Sequence, residues 1–260
     1  MILLCILGAL LFLAITCVLS ILSVFAALID RSGKAYLWFA RVWSKIGLLL
    51  FGIRLRVLGT EHIEPGQNYV YVANHSSYMD IPVLLAGIPD NLRLTLRSSL
   101  TRIPIWGWAL LVSPFLILDR SNPKRAASTV RRAVERIRGG ASVLFFPEGT
   151  RTPTGAMQAF QRGAFHLAVE SGAPILPVAI AGTFEILPRH QWLPKWGKHV
   201  TITIGGAIHL REGTKENRRA EEMRVMREAE IQIRKLLSEE FRVTGSAPGG
   251  ASSRGKEAKA

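Results

Sequence analysis

The sequence has few cysteines, and both lie near its start. Cys5 and Cys17 are the only two in 260 residues, and both fall inside an apolar N-terminal segment. This number excludes the disulfide framework of small secreted domains and is compatible with a reducing cytoplasm. A chain of this length can bury one sizeable domain and carry an appendage.

Charged side chains are missing from the 28 residues that follow Met1. No Asp, Glu, Lys or Arg lies between Ile2 and Ile29, a stretch that would form about 42 Å of helix against a hydrocarbon core of about 30 Å. A cleaved signal peptide is the alternative, but the segment has no basic region at its start, and its apolar run exceeds the usual ~7–15 residues. Arg31, Lys34, Arg41 and Lys45 follow closely. The positive-inside rule therefore predicts the inner, cytoplasmic membrane, with the large domain facing the cytoplasm.

Acidic residues are also scarce relative to basic ones. The chain has 33 Lys and Arg against 19 Asp and Glu, a net charge of +14, with 48% hydrophobic residues. Such a balance suits nucleic acid or an anionic membrane surface. Because the uncharged N-terminal segment already requires lipid, we expect a membrane partner and no nucleic acid.

Residues 34 to 52 predict a second apolar helix. On a helical projection Lys34, Arg41 and Lys45 fall within about 40° of each other, and apolar residues cover the remainder. This narrow basic stripe is typical of a helix at the lipid interface, with a core helix of the large domain as the alternative. The two N-terminal helices could form a spanning segment or a hairpin that enters one leaflet, and the sequence does not choose.

Several catalytic motifs do not occur. The sequence contains no His-Glu-x-x-His, no paired Cys-x-x-Cys, no phosphate-binding loop and no Gly-x-Ser-x-Gly. Metal catalysis, nucleotide hydrolysis and serine hydrolysis are therefore not expected.

The remaining chain alternates between strand-like and helical patterns. We predict strands at 55–58, 69–73, 92–96, 115–118, 143–146, 175–180 and 200–204, and helices at 80–86, 105–111, 124–138, 160–170 and 216–241. This alternation predicts an α/β fold, a mixed sheet with helices on both faces, preceded by an N-terminal membrane helix or helical hairpin. We divide the chain into membrane-anchoring helices at 1–52, an α/β domain at 53–242 and a disordered tail at 243–260.

A histidine and an aspartate lie close together after the second predicted strand. The run Asn74-His75-Ser76-Ser77-Tyr78-Met79-Asp80 follows an apolar, β-prone stretch. Five helical steps would put His75 and Asp80 about 140° apart, so the two meet only if the chain turns before a helix starts. Asp80 would then fix the imidazole tautomer and leave the other nitrogen as a general base for a substrate hydroxyl. The alternative is a simple turn and helix N-cap.

Three further blocks follow in order. They are Phe115-Leu116-Ile117-Leu118-Asp119-Arg120, then Phe146-Pro147-Glu148-Gly149-Thr150-Arg151, then Ile175-Leu176-Pro177-Val178. Together with residues 74–80 they resemble the glycerolipid acyltransferase family, typified by 1-acylglycerol-3-phosphate acyltransferases. The chain departs from that family at Pro114, where a glycine is usual, and at Gln161, where a lysine is common.

The resemblance implies a role for each matching position. His75 and Asp80 would be the catalytic pair, and Arg120, Glu148, Gly149, Thr150, Arg151, Arg162 and Pro177 would bind substrate. The arginines suit an acceptor phosphate, and Glu148 would bind a glycerol hydroxyl or hold Arg151. Pro177 lacks an N–H inside a strand, which predicts an edge strand or a bulge. Backbone N–H groups after His75 or near Pro177 are candidates for an oxyanion site.

The resemblance further implies acyl transfer from an acyl carrier protein or coenzyme A thioester to the sn-2 hydroxyl of lysophosphatidic acid, giving phosphatidic acid. No cofactor beyond the thioester donor and no metal are expected. The alternatives are another acceptor, such as a lyso-ornithine lipid or a different lysophospholipid, and a non-catalytic membrane-surface protein with the same fold.

Overall fold

The computed structural model describes residues 2–119, 123–191, 193–211 and 217–244, with side chains from 6 to 242 except those of 120–127, 192 and 212–216. The helices are α1 Ile2–Ile29, α2 Lys34–Leu50, α3 Asp80–Gly87, α4 Trp106–Leu111, α5 Pro123–Arg138, α6 Gly163–Ser171, α7 Thr183–Ile186 and α8 Arg218–Thr244. The strands are β1 Arg54–Leu58, β2 Val70–Ala73, β3 Leu92–Arg97, β4 Leu116–Leu118, β5 Ser142–Phe145, β6 Ile175–Ala181 and β7 His199–Ile204.

The seven strands of the described residues join one sheet in the order β1-β7-β6-β2-β5-β3-β4. Every neighbouring pair is parallel except β6 and β7, which run antiparallel. Each strand overlaps a predicted one, because continuous apolar runs are typical of strands covered on both faces. The predicted mixed sheet is confirmed.

The sheet carries an apolar core on each face. Along β2, Tyr71 and Ala73 enter one core, while Val70 and Val72 enter the other, as the twofold alternation of a strand requires. The first core is completed by α2, α3 and α4, and the second by α5, α6 and α8. Helices therefore cover both faces, as predicted.

The two N-terminal helices form a hairpin that packs on the domain. The exposed apolar side chains of α1 include Leu10 and Leu28, whereas α2 buries Leu37 and Leu48 against the first core. Arg41 was predicted to lie in a basic stripe at the lipid interface, with a core helix of the large domain as the alternative, and its contacts fit the alternative. Its guanidinium donates to the carbonyl oxygens of Ile88 and Asp90, at 2.9 and 2.5 Å, which ties the hairpin to the loop before β3.

The remaining differences from the predicted elements are local. The helix α6 begins at Gly163 rather than at residue 160, because the N–H of Gln161 donates to the Pro147 carbonyl at 2.8 Å. The short helix α7 was not predicted, since four residues give no periodic pattern. The helix α8 reaches Thr244, two residues into the predicted tail, and residues 245–260 lie outside the described part of the chain.

Candidate functional site

The site lies where the carboxyl ends of neighbouring strands meet. β2 and β5 are adjacent and parallel, so the segments that follow them start at the same edge of the sheet, where ligands of such sheets bind. Asn74 extends the pairing between β2 and β6 with its side chain. Its Nδ2 donates to the Ile180 carbonyl at 2.9 Å, and its Oδ1 accepts from the Ile180 N–H at 2.8 Å.

The turn after β2 brings His75 and Asp80 together, as their sequence spacing predicts. Nδ1 of His75 lies 2.8 Å from Oδ2 of Asp80, and a carboxylate can only accept, so Nδ1 carries the proton. The same oxygen accepts the N–H groups of Ser76 and Ser77, at 2.8 and 2.9 Å. Asp80 starts α3 and is fully buried. Its charge is therefore held by donors rather than by water.

An aromatic ring also packs against the face of the His75 imidazole. Its ring stacks on Phe146, with centroids 4.0 Å apart and planes at 18°. Among the described residues no hydrogen bond joins Nε2 to the protein, and His75 lines an open cleft. The tautomer set by Asp80 leaves the Nε2 lone pair available, so the arrangement can accept a proton from a hydroxyl group in the cleft.

Glu148 was predicted to bind an acceptor hydroxyl or to hold Arg151. Its carboxylate accepts backbone N–H groups, and among the described residues it forms no ion pair with Arg151. Oε1 accepts the N–H of His75 at 2.7 Å, and Oε2 accepts the N–H of Gln158 at 2.9 Å. The side chain is buried, and this desolvation raises the pKa of Glu148 against the opposing effect of those hydrogen bonds. Glu148 thus joins the turn that carries His75 to the loop after β5.

Arg151 lies in the cleft, as predicted, and stacks on an aromatic ring. Its guanidinium carbon is 3.4 Å from the centroid of the Tyr78 ring, a cation–π contact. Nη1 is buried and has no hydrogen-bond partner among the described residues. Burial lowers the pKa of Arg151, and the positive charge of nearby Arg189 lowers it further. This guanidinium therefore has an N–H group available to bind an anion.

The cleft has a volume of about 500 Å³, and four arginines are among the residues that line it. Its lining includes Arg97, Arg102, Arg151 and Arg189, together with Gly149 and Thr150. Gly149 has φ 81°, a left-handed conformation that glycine adopts without strain. A tight turn there lets the chain pass beside His75 and continue to Arg151.

The structure does not bring every predicted residue into the cleft. Arg162 precedes α6 and lies 4.0 Å from the buried Glu222 carboxylate, outside the cleft lining. Pro177 is buried and pairs with Val72 in the interior of the sheet, so the edge prediction is wrong. Arg120 lies outside the described residues.

The bulge predicted for Pro177 is found in the neighbouring chain segment. Val178 pairs with Ile204, whereas Ile175 bridges to Ile208, so the segment after β7 has one residue more than β6 between these pairs. The Gly205 N–H donates to the Pro177 carbonyl at 2.8 Å. A bulge in the partner strand therefore accommodates the missing N–H.

Sequence reasoning missed several residues that shape the site. Thr183 donates to Asp80 from far along the chain, and Tyr78 supports Arg151. Arg102 and Arg189 line the cleft with Arg97, but nothing in the sequence distinguished Arg102 and Arg189 from the other cations of a basic chain. Thr183 carried one weak signal, a Gly-Thr pair directly after a strand.

Known proteins are similar to this chain in both sequence and fold. The family model described as acyltransferase matches residues 54–181. A 1-acyl-sn-glycerol-3-phosphate acyltransferase of Pseudomonas aeruginosa is 35% identical over 193 residues, covering 72% of this chain and 74% of that protein. A chloroplastic 1-acyl-sn-glycerol-3-phosphate acyltransferase of Brassica napus is 33% identical over 166 residues, covering 63% of this chain and 48% of the relative.

Several curated relatives are longer than the aligned region. The chain spans about half the length of those from Brassica napus and Arabidopsis thaliana, 48% and 43%. The crystal structure of the 1-acyl-sn-glycerophosphate acyltransferase from Thermotoga maritima superposes with a TM-score of 0.74 at 24% identity, over 92% of this chain and 96% of that one. That likeness shows the fold. The sequence relationships show the family, and this chain belongs to the acyltransferase family of the 1-acyl-sn-glycerol-3-phosphate acyltransferases.

Proposed function

We propose that this chain is an enzyme that transfers a fatty acyl group to the free sn-2 hydroxyl of lysophosphatidic acid and so forms phosphatidic acid. The observation that carries the proposal is the His75 imidazole, fixed by Asp80 and Phe146 at the wall of a cleft lined with arginines. A base beside a cationic cleft suits an acceptor that has both a hydroxyl and a phosphate. Relatives that are 33% and 35% identical to this chain are named for the same activity.

In the proposed reaction His75 moves one proton. Nε2 takes the proton of the acceptor hydroxyl while that oxygen attacks the carbonyl carbon of an acyl thioester. This attack forms a tetrahedral oxyanion. Its collapse breaks the carbon–sulfur bond and leaves the new ester, and the imidazolium returns the proton to the departing thiolate. The buried carboxylate of Asp80 stabilises the imidazolium. A base positioned in this way contributes about 10²–10⁴-fold to a rate.

The phosphate would bind beside the Tyr78–Arg151 stack. Arg151 has a buried Nη1 without a protein partner among the described residues, and Arg189 adds positive charge nearby. A guanidinium stacked on a ring is held in place, so it loses little freedom when it pairs with a phosphate. Arg97 and Arg102 line the same cleft and would attract the anion.

The donor would be an acyl thioester of acyl carrier protein or of coenzyme A. A thioester is already activated, so the reaction balances with the acceptor and donor alone and needs no further cofactor. The N–H groups of Ser76 and Ser77 were candidates for the oxyanion site, but both donate to Asp80. These two groups are therefore excluded from stabilising the tetrahedral oxyanion in the proposed mechanism.

The acceptor would be taken from a membrane. Residues 6–29 of α1 form a helix that is long and apolar enough to cross a bilayer. We place the protein at the inner, cytoplasmic membrane, with the α/β domain on the cytoplasmic side, because cations follow α1 at Arg31 and Lys34. Residues 1–52 would serve as the anchor and residues 53–242 as the catalytic domain.

The decisive experiment measures acyl transfer by the purified protein from labelled acyl donors to a panel of lysolipids, with His75→Ala in parallel. Both acyl carrier protein and coenzyme A thioesters are supplied. We expect preferential labelling of lysophosphatidic acid and a loss of about 10²–10⁴-fold in the variant. His209→Ala is the control, because it changes a histidine outside the cleft lining.

Three outcomes would contradict the proposal in different ways. Labelling of a lyso-ornithine lipid or another lysophospholipid alone would keep the chemistry and replace the acceptor. Equal activity of wild type and His75→Ala would remove the proposed base. No transfer to any acceptor from either donor would favour a non-catalytic protein at the membrane surface.

A further inference from the structure

A threonine outside the sequence motifs lies against the catalytic pair. Thr183 begins α7, directly after β6, and is fully buried. Its hydroxyl oxygen lies 2.5 Å from Oδ1 of Asp80 and 2.9 Å from the hydroxyl oxygen of Ser76. Thr183 and Asp80 are separated by 103 positions in the sequence. The turn after β6 therefore brings a hydroxyl to the carboxylate oxygen that His75 does not use.

The chemistry of the three groups fixes the direction of both hydrogen bonds. An ionised carboxylate accepts hydrogen bonds only, so Thr183 must donate its single hydroxyl proton to Asp80. Its oxygen can then only accept from Ser76, whose hydroxyl is the donor. The order is Ser76 to Thr183 to Asp80, and Asp80 in turn accepts from Nδ1 of His75.

This hydroxyl completes the set of donors around a buried charge. The Oδ2 atom of Asp80 accepts from His75, Ser76 and Ser77, whereas Oδ1 accepts from Thr183. Without Thr183, Oδ1 would be buried with no donor among the described residues, and the carboxylate could rotate or draw in water. Either change would move the oxygen that holds the His75 tautomer.

We propose that Thr183 is a positioning residue for acyl transfer, which acts through Asp80 by a hydroxyl relay that starts at Ser76. The inference rests on the proposed function, since it assigns Thr183 to the same general base. Thr183 is not among the residues that line the cleft, and its described side-chain hydrogen bonds go to Asp80 and Ser76. Its loss should therefore lower the rate of the chemical step and leave the binding of both substrates unchanged.

The test compares Thr183→Val with Thr183→Ser. Valine keeps the shape and removes the hydroxyl, whereas serine keeps the hydroxyl and removes a methyl group. We expect Thr183→Val to lower kcat about 10- to 100-fold, the effect of losing one hydrogen bond to a charged group, with both KM values unchanged. Thr183→Ser should restore most of kcat. Ser76→Ala should lose less than Thr183→Val, because Thr183 can still donate to Asp80.

Thr201→Val is the matched control. Thr201 is also a buried threonine that donates to a carboxylate, here Oε1 of Glu240 at 2.7 Å, but it lies on β7 away from the cleft. The thermal unfolding midpoint of every variant is measured beside its kinetics. Both valine variants should lose stability, and only Thr183→Val should lose kcat.

A second readout does not depend on turnover. In protein labelled with ¹⁵N-histidine, the nitrogen shifts and the low-field Nδ1 proton of His75 report its tautomer and its bond to Asp80. We expect the wild type, Thr183→Ser and Thr201→Val to give the Nδ1–H form, and Thr183→Val to shift or broaden that signal.

The results separate the two claims. Unchanged kcat and an unchanged His75 spectrum in Thr183→Val would overturn the inference. An equal loss of kcat in Thr183→Ser would also overturn it, because packing rather than the hydroxyl would then matter. If the wild type transfers no acyl group, the proposed function fails, and the spectrum alone decides whether Thr183 positions Asp80.

Discussion

The two oxygens of the Glu148 carboxylate are used by backbone N–H groups of different loops, those of His75 and Gln158. In Glu148→Gln one amide nitrogen would face a backbone donor, and that buried N–H would lose its acceptor. We expect a loss of about 1–3 kcal/mol in the free energy of unfolding, measured by urea titration. Because the backbone of His75 moves, kcat should fall while KM for the acceptor stays constant.

Glu222→Gln is the matched change, since Glu222 is also buried and accepts from His166 Nδ1 at 2.8 Å. It should lower stability without lowering kcat. A rise in KM for the acceptor in Glu148→Gln, with kcat preserved, would contradict the structural role and restore the predicted contact with the acceptor.

At the scale of elements, the turn between β6 and α7 depends on one glycine. Gly182 has φ 94°, and a Cβ there would lie 2.3 Å from the carbonyl oxygen of His199. Gly182→Ala therefore combines a strained backbone angle with a clash against a strand, and the turn must shift together with Thr183. We expect a loss of about 2–4 kcal/mol in the free energy of unfolding and a lower kcat.

Gly172→Ala is the control that tests the strained backbone angle without a steric clash. Gly172 ends α6 with φ 74°, and a Cβ there would meet no atom within 4 Å. This variant should lose only about 1–2 kcal/mol, the cost of the left-handed angle, and keep its kcat. If both variants lose the same stability and the same activity, the contact with His199 is not what fixes the turn.

At the scale of the whole molecule, exposed apolar side chains lie on both the hairpin and α4. α4 packs against α1, and Trp108, Leu111 and Val112 at its exposed side are 61%, 65% and 44% exposed. Arg102, just before them, lines the cleft. Apolar side chains beside cations suit the interface of an anionic bilayer. We therefore expect α4 to lie in that interface, with the mouth of the cleft at the level of the lipid headgroups.

A fluorescent label tests this orientation. Cys5 and Cys17 are first replaced by alanine. An environment-sensitive dye is then attached to a new cysteine in the variant Leu111→Cys or Ile231→Cys. Ile231 is the matched position, because it is 66% exposed on α8. After reconstitution into anionic vesicles, the dye at 111 should shift to the blue and be quenched by spin-labelled lipid, and the dye at 231 should not. Equal responses at both positions would contradict the orientation.

The local sequence predicted the elements well, because their causes are local. Continuous apolar runs marked the seven strands, and the uncharged stretch marked α1. The spacing of His75 and Asp80 predicted their contact, since a strand followed by a turn and a helix start leaves them few other arrangements. Pro177 was misplaced at an edge because strand order depends on crossovers that no single segment records.

Residue type, order and short spacing were enough to predict the fold class, the family and the contact between His75 and Asp80. Tertiary structure alone decided which groups surround that pair. Thr183 reaches Asp80 across 103 positions. Arg41, predicted in a basic stripe at the lipid interface, donates to two backbone carbonyls instead. Glu148 holds the backbone of His75 rather than Arg151. The physical reason is that a buried polar group bonds to whatever donor or acceptor the packed chain brings near it, and sequence distance does not limit that choice.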